Sequence, residues 1–106
     1  MKNLNIPSLD AGTFHMYITS WGVDYESWPE QWIKDHSDAC EAAGKQCILE
    51  EYGVDQDGDF RTTNMNAWHE ALLNSPGVPG DLFWQFGLEL SNGPTHDDGV
   101  STSCIV

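Results

Sequence analysis

Carboxylate and aromatic side chains follow or line short apolar segments at three places in the sequence. Glu50 and Glu51 come directly after one apolar run, His15 and Tyr17 alternate with apolar residues in a second segment, and Trp84 lies in a third. Aromatic rings stack on the apolar faces of pyranose sugars, and carboxyl groups perform the proton transfer or nucleophilic attack of glycoside cleavage. These residue types therefore predict a carbohydrate site.

Three segments have the pattern of strands. Phe14, Met16 and Ile18 alternate with polar or aromatic residues, which is the two-residue period of a strand with two different faces. The apolar runs 47–49 and 82–86 are typical of strands buried on both faces. We therefore expect a strand to precede or carry each group of candidate site residues.

Two segments between these strands have helical spacing. Ser27, followed three residues later by Glu30, matches a capping box and predicts a helix that starts near Trp28 and ends at Gly44. Its predicted inward stripe contains Trp28, Trp32, His36, Cys40 and Ala43. After an acidic loop at 55–61, a second helix, marked by Met65, Trp68 and Leu72, should end at the turn 74–77.

This alternation of strands and helices predicts an α/β fold with parallel strands. Residues 1–106 are expected to form a single domain with about three parallel strands and two main helices. Functional residues of such folds gather at the carboxyl ends of the strands. The sequence therefore places Glu51, His15, Tyr17 and Trp84 on one rim.

Five blocks of the sequence resemble a known family in order and at compatible spacing. They are residues 10–17 (DAGTFHMY), 32–36 (WIKDH), 42–53 (AAGKQCILEEYG), 80–85 (GDLFWQ) and 95–99 (THDDG). Together they resemble the C-terminal part of fungal endo-β-1,4-mannanases of glycoside hydrolase family 5. The resemblance implies a partial (β/α)₈ barrel, with the chain matching about the last three β/α units and self-association as one way to complete it.

The resemblance also implies roles for individual residues. Glu51, just before Tyr52, matches the catalytic nucleophile of the family. His15 and Tyr17 match the pair that lines the site and steadies that carboxylate, Trp84 matches the sugar platform at the cleavage subsite, and Trp21 could line a more distal subsite.

The sequence departs from the family at the acid/base residue. The family uses a Glu that follows Asn, and this sequence contains no Asn-Glu pair. A retaining glycosidase needs two carboxyl groups about 5 to 5.5 Å apart. We therefore expect a non-catalytic mannanase-like protein that acts by binding, either to a β-mannan-type carbohydrate or to a protein receptor such as a taste or immune receptor. The alternative is an endo-β-1,4-mannanase that is active only with another chain or as part of a full-length enzyme.

Three cysteines leave one thiol without an intrachain partner. By the resemblance, Cys40 and Cys47 form a disulfide, whereas the usual partner of Cys104 is not a Cys here. An interchain disulfide through Cys104 is therefore predicted, together with a homodimer. The disulfide pattern and the resemblance also predict secretion, although the opening residues lack the apolar segment of a secretory signal.

Charge and composition exclude other classes of partner. The chain carries 17 Asp and Glu against 4 Lys and Arg, a formal net charge of −13, which repels nucleic acid and anionic lipid. No apolar run approaches the ~18 residues of a membrane span, and we expect no membrane partner and no cofactor.

A metal site is also not expected. Asp55, Asp57 and Asp59 suggest calcium ligands, but Phe60 and Asn66 stand where a calcium-binding loop needs Gly and Glu. The default reading is a solvated acidic loop.

Other side chains have a plainer interpretation. His36 lies on the helix stripe and is expected to be a packed core histidine. Trp28, Trp32 and Trp68 fall at helical spacing and are expected in the core.

Overall fold

The computed structural model describes residues 2–56, 58–85 and 89–94. Its main sheet has three parallel strands in the order β1 (Ala11–Met16), β2 (Gln46–Tyr52) and β3 (Gly80–Asp81). Helix α2 (Trp28–Ala42) connects β1 to β2, and helix α3 (Asp59–Leu73) connects β2 to β3. The predicted α/β fold is confirmed, and the three-stranded sheet is open.

Shorter elements complete the described chain. They are a 3₁₀ helix at Lys2–Asn5, helix α1 at Ile18–Trp21, and an antiparallel pair of two-residue strands, β4 (Glu89–Leu90) and β5 (Gly93–Pro94). No described helix has the length and apolar character needed to cross a bilayer.

Alternation along β1 and β2 builds the core on the helix side of the sheet. Phe14 and Met16 of β1 and Leu49 and Tyr52 of β2 are buried there with residues of both helices. The first strand ends at Met16, two residues earlier than the alternation suggested, because Ile18 begins α1. The period of two therefore predicted the buried face of β1 correctly and its end imperfectly.

Helix α2 starts at the predicted residue but is capped differently. Ser27 makes no side-chain capping bond to the helix. Instead, Oδ1 of Asp24 accepts hydrogen bonds from the backbone N–H groups of Ser27, at 2.7 Å, and Trp28, at 3.3 Å. The predicted capping box is wrong, because the turn before the helix brings Asp24 over the free amides. At the other end, Gly44 follows the helix in a left-handed conformation, with φ of 65°, as predicted.

The inward face of α2 differs in part from the predicted stripe. Its buried residues are Pro29, Ile33, His36, Ser37 and Cys40. Trp28 and Trp32, predicted in the core, are only half-buried. The prediction for His36 is confirmed, since its ring stacks on Phe14 with centroids 4.0 Å apart and burial lowers its pKa.

Helix α3 begins within the segment 55–61 that the sequence predicted as an acidic loop. It starts at Asp59, so the loop does not extend to Arg61, and Asp57 lies outside the described residues. Trp68 and Leu72 are buried as expected, and the helix ends just before Asn74.

The third strand is shorter and earlier than predicted. Regular pairing joins Gly80 and Asp81 to β2, whereas the sequence predicted a strand over 82–86, of which residue 86 lies outside the described part. Two backbone bonds continue the contact: the N–H of Leu82 donates to Leu49 O at 2.9 Å, and the N–H of Trp84 donates to Tyr52 O at 2.8 Å. Leu82 and Phe83 are exposed because β3 pairs with β2 on one side only among the described strands.

A disulfide joins the end of α2 to the start of β2. Cys40 and Cys47 are bonded, with a Cα–Cα distance of 6.1 Å, and both are buried. The predicted pair is confirmed. Cys104 lies outside the described residues, and its interchain disulfide stays a prediction.

Candidate functional site

A β-bulge in β2 sets the direction of the Glu51 side chain. Phe14 pairs with Leu49, but the next residue of β1, His15, pairs with Glu51, so Glu50 is an extra residue. Residues in parallel register share a face of the sheet. Without the bulge, Glu51 would therefore share the buried face of Leu49, two residues before it. The bulge turns Glu51 to the opposite, open face of the sheet, a role that bulges often have near functional sites.

On this open face, three predicted residues meet. The hydroxyl of Tyr17 donates a hydrogen bond to Oε2 of Glu51 at 2.6 Å. Nδ1 of His15 lies 3.5 Å from the same oxygen, and Nε2 of His15 lies 3.7 Å from Oε2 of Glu50. The His15 imidazole therefore lies between the two carboxylates. The Tyr17 hydroxyl and Nδ1 of His15 both contact the Glu51 carboxylate from the side of β1.

Trp32 supports the backbone of this cluster. Its indole Nε1–H donates to the carbonyl oxygen of His15 at 3.0 Å. Helical spacing predicted Trp32 as a core residue. That spacing alone does not indicate that the indole donates a hydrogen bond to the backbone of His15. The bond ties α2 to the end of β1 and fixes the backbone that carries His15.

Trp21 lies on the same rim as Tyr17. Its ring centroid is 6.3 Å from that of Tyr17, and it packs edge-on against Trp28 and Trp32, each at 5.8 Å. The Trp21 side chain is 45% exposed. An exposed indole that is fixed by two others offers an apolar plane or edge to a ligand.

Trp84 is brought to the site through its backbone. It is half-buried, and its N–H donates to the carbonyl of Tyr52, the residue after Glu51. The structure therefore places all five predicted site residues near the carboxyl ends of the strands, with Glu51, His15 and Tyr17 in direct contact.

A bridge between two rim loops was not predicted. The hydroxyl of Tyr25 donates to Oδ1 of Asp55 at 2.9 Å and lies 2.7 Å from Oγ1 of Thr19. Burial raises the pKa of Tyr25. Asp55, considered above as a calcium ligand, is thus a hydrogen-bond acceptor for a tyrosine that joins the segment after β1 to the segment after β2.

Metal binding finds no support in the described segments. Among residues 2–56, 58–85 and 89–94, no group of three or more His, Cys, Asp or Glu side chains could hold a metal ion. The described rim carries carboxylates, an imidazole, a phenol and indoles.

The class of fold is defined by the parallel strands and the helices that alternate with them, and Glu51 lies at the end of one strand. This is an open parallel α/β sheet whose polar groups lie at the carboxyl ends of the strands, where (β/α)₈ barrels carry their active sites. No family model matches the chain.

Individual proteins give a closer comparison. The chain is 52% identical over 103 residues to mannan endo-1,4-beta-mannosidase A of Podospora anserina, a match that covers 95% of this chain and 26% of that protein. It is 47% identical over 98 residues to the probable mannan endo-1,4-beta-mannosidase A of Aspergillus oryzae, covering 92% of this chain and 24% of that protein.

Solved structures of mannanases are also similar to this chain. The endo-1,4-beta-D-mannanase of Thermotoga petrophila superposes with a TM-score of 0.77 at 34% identity, over 93% of this chain and 30% of that chain. The endo-1,4-beta-mannanase of Rhizomucor miehei gives a TM-score of 0.72 at 38% identity, over 78% of this chain and 23% of that chain.

The chain thus resembles a segment of the endo-β-1,4-mannanases of glycoside hydrolase family 5, with fungal enzymes among its relatives. It spans about a quarter of the length of the relatives that it matches.

Proposed function

We propose that this chain carries the nucleophile side of a β-mannan site and acts by binding β-mannan-type oligosaccharides without cleaving them. The observation that carries the proposal is the hydrogen bond from Tyr17 to Glu51 on the open face of the sheet, with His15 beside it. Trp21 adds an exposed indole on the same rim. A carboxylate and aromatic rings are the groups that bind the hydroxyls and the apolar faces of sugars.

The arrangement of the carboxylates supports binding without cleavage. A retaining glycosidase protonates the leaving oxygen with one carboxyl group while the other attacks the sugar. Glu50 and Glu51 are neighbours on one strand and both flank His15. They therefore approach a bound sugar from the same side, and the Asn-Glu pair that carries the family's acid is absent from the sequence.

We expect the proposed binding to be weak, because the described residues form only one wall of the site. Small-ligand sites usually bury most of the ligand in a concave pocket. Here the sheet is open, and Glu51 and His15 keep a substantial part of their side chains exposed. Affinity should increase with chain length, since a longer oligosaccharide reaches Trp21 as well as Glu51.

The test is a titration with mannohexaose in which the NMR chemical shifts of the indole N–H groups are monitored. We expect saturable shifts at the rim and none with an uncharged polymer that is not a sugar. Glu51→Gln and Trp21→Ala should each lower the affinity, whereas Glu41→Gln, an exposed carboxylate on α2, should not. Absence of a saturable response to mannohexaose would overturn the proposal and would favour the protein-receptor alternative.

A second candidate function is hydrolysis after assembly with another chain. The observation in its favour is exposed apolar surface on β2 and just after β3, where Ile48 is 38%, Leu82 60% and Phe83 46% exposed. Apolar sheet faces and unpaired strand edges promote association. A second copy, or a chain that supplies the missing strands, could cover this surface and bring an acid opposite Glu51.

Two measurements test the second candidate. Solution mass under non-reducing conditions distinguishes a monomer from the predicted homodimer. Reducing sugar released from galactomannan by the assembled protein, and lost in Glu51→Gln, would support hydrolysis. A monomeric mass together with no sugar release would exclude it for the chain alone.

A further inference from the structure

Tyr52, the residue after Glu51, lies on the opposite side of the sheet from the candidate site. Its side chain is fully buried, and its hydroxyl donates a hydrogen bond to Oδ2 of Asp81 on β3. Nε2 of His69 on α3 lies 3.0 Å from the same hydroxyl. Because the single hydroxyl proton of Tyr52 is directed to Asp81, His69 serves as the donor to the phenol oxygen.

The main chain of Tyr52 makes a second link in the same direction. Its carbonyl accepts a hydrogen bond from the N–H of Trp84 at 2.8 Å. Regular strand pairing of β3 ends at Asp81, so this bond holds Trp84 beyond the end of the strand. Tyr52 is therefore joined to the segment 81–84 twice, through its side chain and through its carbonyl.

These two links connect the part of the chain that carries the Glu51 carboxylate to the part that carries the Trp84 indole. Glu51 precedes Tyr52 in the chain, and Trp84 follows Asp81 by three residues. We propose that Asp81 is a positioning residue that acts through Tyr52 to fix the separation of Glu51 and Trp84. The effect of Asp81 on the backbone at Trp84 does not depend on the proposed function, whereas its effect on sugar binding rests on that function.

The surroundings of the link favour this role over a general contribution to the core. Burial, followed by the hydrogen bond and the negative charge of Asp81, raises the pKa of Tyr52 well above its usual range, so the hydroxyl keeps its proton. Asp81 itself is exposed. Removal of its carboxylate therefore leaves no cavity, and the expected effect is a change in position rather than loss of the fold.

The experiment measures amide hydrogen exchange at Trp84 in the full chain and in four variants. Tyr52→Phe and Asp81→Ala remove the link, Asp81→Asn keeps an acceptor oxygen, and Tyr25→Phe is the matched control. Tyr25 also donates from a partly buried hydroxyl to an aspartate, but that aspartate is Asp55, outside segment 81–84. The N–H of Leu82, which donates to Leu49 instead, is the internal reference.

Tyr52→Phe and Asp81→Ala should accelerate exchange at Trp84 about tenfold relative to Leu82, the size expected for loss of one hydrogen bond to a charged group. Asp81→Asn should restore most of the protection, and Tyr25→Phe should change nothing at Trp84. If Tyr52→Phe does not fold, Asp81→Ala alone decides the test. Unchanged protection at Trp84 in Asp81→Ala, or equal acceleration at Leu82, would overturn the proposal.

Mannohexaose titration of the same variants separates this proposal from the proposed function. If both hold, Asp81→Ala lowers the affinity about tenfold while Asp81→Asn restores it. If the unmodified chain does not bind mannohexaose but Trp84 still loses protection in Asp81→Ala, the positioning role stands and the proposed function fails. If the chain binds the sugar equally well with and without Asp81, the positioning role in binding is wrong.

Discussion

The two faces of the parallel sheet differ in what covers them. On one face, Phe14, Met16 and Leu49 are buried under α2 and α3. On the other, His15 and Glu51 are partly exposed, and Nδ1 of His15 lies 3.5 Å from Oε2 of Glu51, which also accepts a hydrogen bond from Tyr17. Stability comes mainly from the covered face, because burial of apolar surface is the dominant favourable contribution to folding. The open face is free to carry polar groups for ligand contact.

Neighbouring residues on β2 show the difference most directly. Ile48 and Leu49 are adjacent and similar in size, yet Ile48 is 38% exposed and Leu49 is 0% exposed. Side-chain type therefore does not decide which residue stabilises the fold. The face of the sheet decides it.

The largest expected effect compares these two neighbours. Leu49→Ala should lower the free energy of unfolding by about 2–5 kcal/mol, because it leaves a cavity in the core. Ile48→Ala should change it by less than about 1 kcal/mol. Urea denaturation of both variants measures the difference. A loss for Ile48→Ala as large as that for Leu49→Ala would show that the open face is covered in solution, as the homodimer hypothesis requires.

A smaller effect concerns His36 beneath the covered face. Burial lowers the pKa of His36, while the unfolded chain takes up its proton near a pH of about 6.5. The stability that His36 contributes is therefore present above that pH and lost as the pH falls, by at most about 1.4 kcal/mol per pH unit. Denaturation between about pH 7.5 and about pH 5 should show this slope, and His36→Phe should reduce it.

The unmodified chain, denatured over the same pH range, is the reference for this measurement. Equal slopes for the unmodified chain and His36→Phe would contradict the assignment of the effect to His36.

The smallest effect sharpens the comparison at the start of α2. Asp24 accepts hydrogen bonds from three backbone amides, and these bonds lower its pKa, whereas Ser27 caps none. Asp24→Ala should lower the Tm by about 5 °C, and Ser27→Ala by less. Thermal denaturation followed by circular dichroism checks the order. A larger loss for Ser27→Ala would favour the capping box that the sequence suggested.

Much of the fold could be predicted because local patterns agreed with the final structure. The alternation in β1 indicated its buried face, and the apolar spacing around Trp68 indicated α3. The third strand was misplaced, because an apolar run is typical of a buried strand and here Leu82 and Phe83 are exposed. Burial depends on neighbouring strands, which a local pattern does not contain.

The candidate site was predictable in its residue types but not in its geometry. Glu50 and Glu51 are identical neighbours, so nothing in their sequence shows that the bulge turns Glu51 towards His15. Trp32 had the spacing of a core residue, and its bond to the His15 carbonyl depends on how α2 lies against β1. Asp81 was not singled out, because its partner Tyr52 is 29 residues away in the chain.

The sequence by itself determined the order of the three parallel strands and two main helices, the resemblance to endo-β-1,4-mannanases and the residues that could contact a sugar. These depend on residue type and short-range spacing, which are local properties. Only the tertiary structure decided which way Glu51 points, which residues hold it there, and how β2 is tied to the segment that carries Trp84. Those features depend on the register between strands and on hydrogen bonds between distant residues, which form only when the chain is packed.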